Sequence, residues 1–441
     1  MRCLSVPIPF SLIFAVCWIV LPCRSHGQTA APAPVLIASK EPDWPNFRGP
    51  RRDGICDEGN LLASWPENGP REVWSATNLG RGYSSPIIVG DRLFLTGDRD
   101  GELHVFALDL AGKPVWQSTN GAAWKDPFPG ARASTTFSEG KLYHLNAHGR
   151  LACVNAADGK EVWSLNVLER FHGENITWGL SENVVADERA VYVTAGGGDA
   201  LVVALDKHDG NVLWQSAPLR NTDGEKKIEN ASYVSPILVR FANRRLLIGC
   251  SLRNLFCVDA DNGTIQWTRP FPTTYSVIAA MPTLAGDGVF MTAPHGKGGR
   301  MFRLVAPHST RSPITVEEKW STPLDTLQGG IVHADGILFG AYYPGRKGWA
   351  ALDVATGQTL YEARDLIKGA ALVADDRLYA LSEDGMMWLL EPTSTEFAIR
   401  GRFRVARAEN DAWAHPVIHQ GRLYLRYHDT LHCYEIRANA P

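Results

Sequence analysis

The sequence predicts an all-β protein: an eight-bladed β-propeller of four-stranded blades, its ring closed by an N-terminal strand. Three observations predict it. Large aromatics recur at Trp74, Trp116, Trp163, Trp214, Trp267, Trp320, Tyr361 and Phe403, in steps of 42, 47, 51, 53, 53, 41 and 42 residues. A short phrase with a glycine turn precedes most of them. Finally, 41 Gly, 27 Pro and 14 Trp in 441 residues favour short strands and tight turns over helices. A fixed period of this length marks stacked supersecondary units, each too small to bury its own apolar face.

The phrase explains the outer half of each unit. It runs from Cys153 through Gly159 to Trp163, from Ala204 through Gly210 to Trp214, and from Cys257 through Gly263 to Trp267. Ala351 through Gly357 to Tyr361 is a further copy, and Ala107 through Gly112 to Trp116 is one residue shorter. Apolar alternation up to an Asp or Asn is a strand. The Asp or Asn side chain accepts from backbone N–H groups in the turn, and Gly supplies the positive φ. The chain then reverses into a strand carrying the aromatic. These Trp and Gly residues are read as structural, because they recur once per blade and blades need adhesion.

A second hairpin lies upstream of each phrase, as in Gly90 to Leu95, Gly140 to Tyr143, Gly336 to Phe339, Asp376 to Tyr379 and Gly421 to Tyr424. Each unit therefore holds about four strands, the content of a propeller blade. The blade cores fall at 83–118, 133–166, 182–216, 232–270, 280–322, 329–365, 369–406 and 414–437. The last unit ends without an outer strand, whereas Arg71 to Trp74 forms an outer strand without a blade. Val73 and Trp74 are expected to complete the blade begun at Ala414, which removes the open sheet edge. Blade 5 carries an insertion around Pro307 to Pro313, and blade 7 has lost its glycine turn.

Residues 1–27 read as a signal peptide, 28–70 as an N-terminal extension and 71–441 as the propeller. Arg2 precedes an apolar run from Phe10 to Leu21, too short to span a bilayer and suited to an export leader. Export to the periplasm or the extracellular space is expected, without a transmembrane span. A lipid anchor at Cys23 is the weaker alternative, since Pro22 sits where a lipobox wants a small residue. The net charge of -3 gives no reason to expect nucleic acid or an anionic membrane as partner.

The repeat resembles the pyrroloquinoline-quinone (PQQ) repeat family, with its Ala-x-Asp-x-x-x-Gly-x-x-x-Trp docking motif, over about residues 71–437. That family holds PQQ- and Ca²⁺-dependent quinoprotein dehydrogenases and non-enzymatic BamB-like scaffolds, so the resemblance speaks for fold more than for chemistry. Asp43 to Pro50 and Gly82 to Pro86 look like the exported, BamB-like or PQQ-binding-like members. Several features of the enzymes are missing: no two cysteines are adjacent, and no Cys-x-x-Cys-His haem motif occurs. The resemblance therefore implies a binding or scaffold module for an envelope protein or a glycan, monomeric, with no cofactor and no metal. The alternative is a PQQ- and Ca²⁺-dependent dehydrogenase oxidising an alcohol or sugar, for which Glu174-Asn175 and Glu182-Asn183 are the calcium-ligand candidates. An accessory to polysaccharide processing is a third reading.

Other chemistry finds little support. His428 and His432 have helical spacing on strands, which does not bring them together. Asp98 to Gly101, Gly196 to Gly198 and His295 to Arg300 fall on ordinary hairpins with no helix behind them. Cys153, Cys257 and Cys433 share a repeat position with Ala107, Ala204 and Ala351, so buried free thiols are expected instead of disulfides. No catalytic residue is assigned.

A ligand is expected at the mouth formed by the long connections into the innermost strands, at 119–132, 167–181, 217–231, 271–279 and 407–413. The candidates there are Tyr83, Trp124, Arg132, His172, Glu174, Trp178, Tyr233, Tyr275, Trp413 and His415, with Arg170, Lys226, Lys227 and Asp411 nearby. Aromatics with a few charges suit a peptide, a sugar or a flat cofactor.

Overall fold

A computed structural model describes residues 33–220, 227–343 and 348–438. The expected signal peptide, Cys23 and Lys226 lie outside the described residues. The chain forms eight antiparallel blades of four strands each, with two short strands added from the N-terminal segment. Blade 1 runs outward from Ile87–Val89 through Arg92–Arg99 and Glu102–Asp109 to Pro114–Ala122. Inner and middle strands are buried on both faces, while outer strands alternate with solvent. The core consequently lies between neighbouring blades, not within one sheet. Among the described residues the one α-helix is a single turn, Val167–Arg170, capped by Asn166, whose side chain accepts from the Leu168 and Glu169 N–H groups.

The ring closes as the repeat predicts. Glu72–Ala76 pairs antiparallel with Thr430–Glu435, putting Trp74 opposite Cys433 in blade 8. The Trp74 and Tyr424 rings lie 6.0 Å apart. The missing glycine turn of blade 8 comes from the same segment. Gly69, with φ of 81°, leaves room for the Phe403 ring of blade 7, where a Cβ would approach within 2.5 Å.

The docking phrase works as a seam between blades. Each Trp lies against the turn glycine of the next blade: Trp74 on Gly112, Trp116 on Gly159, Trp163 on Gly210, Trp214 on Gly263 and Trp320 on Gly357. At all five a Cβ would come within 2.8 Å of the indole, so only glycine allows the stack. Each indole N–H donates across the seam, to Leu110, Ala156, Lys207, Ala260 and Val354 carbonyls respectively, at 3.0–3.1 Å. Opposite Trp163, Trp214 and Trp267 a small residue, Cys153, Ala204 or Cys257, is followed by a β-bulge. It tightens the turn that presents the glycine. The small residue is fully buried, and all five described cysteines are buried and free.

Two seams depart from this scheme. Trp267 of blade 4 meets no glycine and its indole N–H has no partner. The blade 5 insertion fills the place: Ile314 packs with Trp267, and Arg244 donates to Gln266 and to the Ser312 carbonyl. At the next irregular seam Tyr361 packs edge-on against Phe397, 4.9 Å away, where blade 7 has no glycine turn.

The sequence left the placement of the N-terminal extension open. Residues 35–61 run across the end of the axial channel opposite the long connections. Val35–Leu36 adds to the inner strand of blade 4, and Ile55–Cys56 adds in parallel to that of blade 7. Between them Trp44 bridges to Ile88 of blade 1, and Pro45 accepts from Phe137 of blade 2. Arg52 is buried and donates to the Asn183 carbonyl and to Thr136. Glu58 accepts from Gln420 and Gly421 of blade 8. The extension is thus a plug that ties together inner strands around the ring.

Candidate functional site

With one end plugged, the channel opens at the other as a cavity of about 600 Å³. Its walls come from segments leading into successive inner strands, which places them on one rim by topology. Three aromatic groups stand around it. Tyr83 and Trp413 lie 4.7 Å apart, with Phe128 5.4 Å from Trp413. Trp178 and Tyr233 are 5.8 Å apart. His295 is flanked edge-on by Tyr275 at 4.6 Å and Tyr343 at 4.7 Å. Phe128 and Tyr275 are the exposed members, at 52% and 62%.

Charge in the cavity is mostly positive. Arg132 donates to three carbonyls of its own loop, those of Gly130, Pro127 and Phe128, and to the Trp178 carbonyl of the neighbouring one, and its guanidinium covers Trp124 at 5.1 Å. Burial lowers its pKa only to about 10, so it stays charged at neutral pH. Lys368 is ion-paired with Glu383, the one carboxylate among the lining residues. Glu383 also accepts from the Gln328 amide at 2.6 Å, and burial lifts its pKa above the ordinary value. Burial, with the nearby Arg48 charge, holds His415 down at about 3, so its imidazole is neutral. The Phe47 ring meets that of His415 at 4.8 Å, and Phe47 and Arg48 of the plug join the lining.

Seven sequence-predicted residues line the cavity: Tyr83, Arg132, Trp178, Tyr233, Tyr275, Trp413 and His415. Trp124, His172 and Glu174 do not. Trp124 is turned into its own loop, with its indole N–H donating to the Pro127 carbonyl and its ring against Gly179. His172 is held outward by Asp199, 2.9 Å away, and Glu174 is exposed outside the walls. Sequence reasoning missed Phe47, Arg48, His295 and Tyr343. The last two sit on hairpins between second and third strands. In an antiparallel blade those hairpins lie on the same face as the lead-in to the first strand, a signal the strand count already contained.

The donor set does not suit calcium-bound PQQ. Glu182 is buried away from the lining, and both carboxylate oxygens accept from the Thr194 N–H. The Asn183 side chain is engaged by Ser134 and Ser235. Asn175 donates to the Ala147 carbonyl on the far side of its loop. Among the described residues no three His, Cys, Asp or Glu side chains converge as a metal site would need. No described helix is long and apolar enough to cross a membrane.

Comparison with known proteins fits this architecture. BamB of Yersinia pestis is 24% identical over 292 residues, covering 62% of this chain and 68% of that one. BamB of Nitrosomonas eutropha is 26% identical over 232 residues, and the match spans half of its length. Among solved structures, BamB from Moraxella catarrhalis superposes with a TM-score of 0.57 at 14% identity, covering 84% of this chain and 99% of that one. Quinohemoprotein alcohol dehydrogenase from Comamonas testosteroni gives 0.61 at 13% identity, covering 92% and 82%. At such identities the structural likeness speaks for the propeller alone. The family model described as outer membrane protein assembly factor BamB matches residues 99–363, more than half of the sequence, and the chain belongs to that PQQ-repeat family.

Proposed function

We propose that this chain is an exported binding propeller that serves assembly in the cell envelope by holding a protein partner in its aromatic mouth. The observation that carries the reading is the blind cavity of about 600 Å³ walled by aromatics from separate blades. Rigid aromatic walls give large contact area at small entropic cost, the usual makeup of a recognition surface. Membership in a family described by BamB supports an assembly role over turnover. The cavity's single carboxylate is already bound to Lys368 and Gln328, which favours binding over acid–base or quinone chemistry. A glycan is the competing occupant.

A photo-cross-linking amino acid at Phe128, on the mouth, is expected to capture a defined envelope protein in living cells. The same group at Val162, on an outer strand, is expected not to. Trp413→Ala should reduce the mouth capture at least about tenfold, as loss of a buried aromatic anchor does. Equal capture at both positions, or sugar-dependent capture without protein, would overturn the reading. So would dye reduction by purified protein supplied with PQQ, Ca²⁺ and an alcohol.

A further inference from the structure

The floor of the mouth holds a buried cation that the protein leaves partly unbonded. Arg48 is 4% exposed. Its Nη2 donates to the Asp53 carbonyl at 2.9 Å and to the Ile331 carbonyl, while Nε and Nη1 have no partner. No carboxylate touches it. Asp53, the nearest acid, is occupied by Arg51 at 2.8 Å and by the Ile55 N–H at 2.9 Å. A buried guanidinium with free N–H groups is costly unless something anionic completes it.

The surroundings bring Arg48 and His415 together at the cavity floor. Gly330 lies against Arg48, and a Cβ there would fall 1.8 Å from Nη1 and 3.4 Å from the His415 ring. Gly330 thus lets the guanidinium pack close beside His415, and all three residues line the cavity. His415 approaches the Gln328 carbonyl through Nε2 at 3.2 Å. As a neutral ring donating there, it is left with Nδ1 as a bare acceptor, which has no partner in the protein. Gln328 Oε1 is a second unpartnered acceptor at the cavity. The floor thus offers cationic donors beside neutral acceptors.

This pattern is complementary to one end of a polypeptide. A terminal carboxylate suits the guanidinium, and the last amide N–H, whose nitrogen is bonded to the carbon that bears the carboxylate, suits an acceptor. A simple organic acid supplies only the first. The plug supports the same choice, because residues 43–56 close the channel below Arg48 and a chain cannot pass through. A peptide must enter by an end. Cations outnumber carboxylates among the lining residues, and that charge balance favours the carboxyl end over the ammonium end.

We propose that the mouth captures the free C-terminus of an extended peptide, with the carboxylate on Arg48 and the final amide against His415. The inference rests on the proposed binding role and narrows it to one feature of the partner.

Random hexapeptides with free C-termini, and the same pool amidated, test it by calorimetric titration of the intact mature protein. The free acids should bind at least about tenfold more tightly, the scale of charge-assisted hydrogen bonds to a desolvated group. Arg48→Met should erase the difference, and Arg48→Lys should retain part of it. Acetate and benzoate should compete only weakly. Equal binding of both pools overturns the C-terminal assignment but leaves a binding mouth intact. Failure of both pools, with cross-linking at Phe128 still specific, overturns it in the same way. Tight binding of small acids without peptide preference overturns the peptide in favour of a free organic acid. The comparison of pools uses the unaltered protein, so it does not depend on any variant folding.

Discussion

Arg426 and Arg48 are both buried arginines with no carboxylate in contact, and they face opposite fates. Arg426 sits at the seam between blades 8 and 1. Its Nε donates to the His428 carbonyl at 2.7 Å, Nη1 to Ser84 at 3.1 Å and to Thr96, and Nη2 to Gly80 at 3.1 Å. Every nitrogen is capped, so the charge is spread over backbone carbonyls drawn from two blades. Arg48 has two nitrogens left over and a cavity beside it. The first residue therefore belongs to the ring, while the second has unfilled bonding capacity.

The sharpest way to break this contrast is to remove each cation. Arg426→Met leaves several buried carbonyls without donors, and should cost about 3 kcal/mol or more in denaturant unfolding. Arg48→Met removes an incompletely solvated charge, and should change stability by no more than about 1 kcal/mol in the absence of ligand. Equal costs would mean that Arg48 is merely another structural clasp.

A second test compares seams. Gly112→Ala forces a side chain into a residue with φ of 79° and within 2.6 Å of the Trp74 indole, so it should destabilise by about 1–3 kcal/mol. Gly90 also has positive φ, at 60°, but nothing lies within 4 Å of its Cβ position. Gly90→Ala should therefore show only the backbone part, about 1 kcal/mol. The difference between the two, read from urea midpoints, isolates the contribution of docking.

The smallest effect concerns pH. Burial raises the Glu182 carboxyl to about 7 and Asp98 to about 6. Between their unfolded values near pH 4 and these folded values, the unfolded chain has released protons that the native chain keeps. Stability should therefore fall as pH rises through that window and level off above about pH 7. Glu182→Gln should flatten part of this fall, raising Tm at pH 8 by about 2 °C relative to the unaltered protein. An unchanged slope would show that Glu182 ionises without cost beside Arg52.

What the sequence made legible was whatever repeats. Blade number, the Trp–Gly seams and the pairing of Trp74 with blade 8 all follow from period and from the φ that glycine allows. The rim was legible to the extent that topology sends long connections to one face, which brought Tyr83, Trp178, Tyr233 and Trp413 to the cavity. Trp124 and His172 show the limit: loop composition does not say which way a side chain turns once a neighbouring carbonyl or carboxylate claims it. Arg48 was unreadable for a different reason. It lies in a single-copy segment, and no period could assign that segment to the channel.

The borrowed strand at Glu72–Ala76 has a consequence for how the molecule is made. Its partner, Thr430–Glu435, follows every other described strand in chain order. The earliest residues of the ring must therefore wait, unsatisfied, until some 350 others have followed, and contacts of such separation form slowly. Apolar blade faces stay uncovered during this delay. Maturation should accordingly be limited by the final docking of head to tail, so that truncating a few residues from the C-terminal strand would leave most blades formed and the circle open.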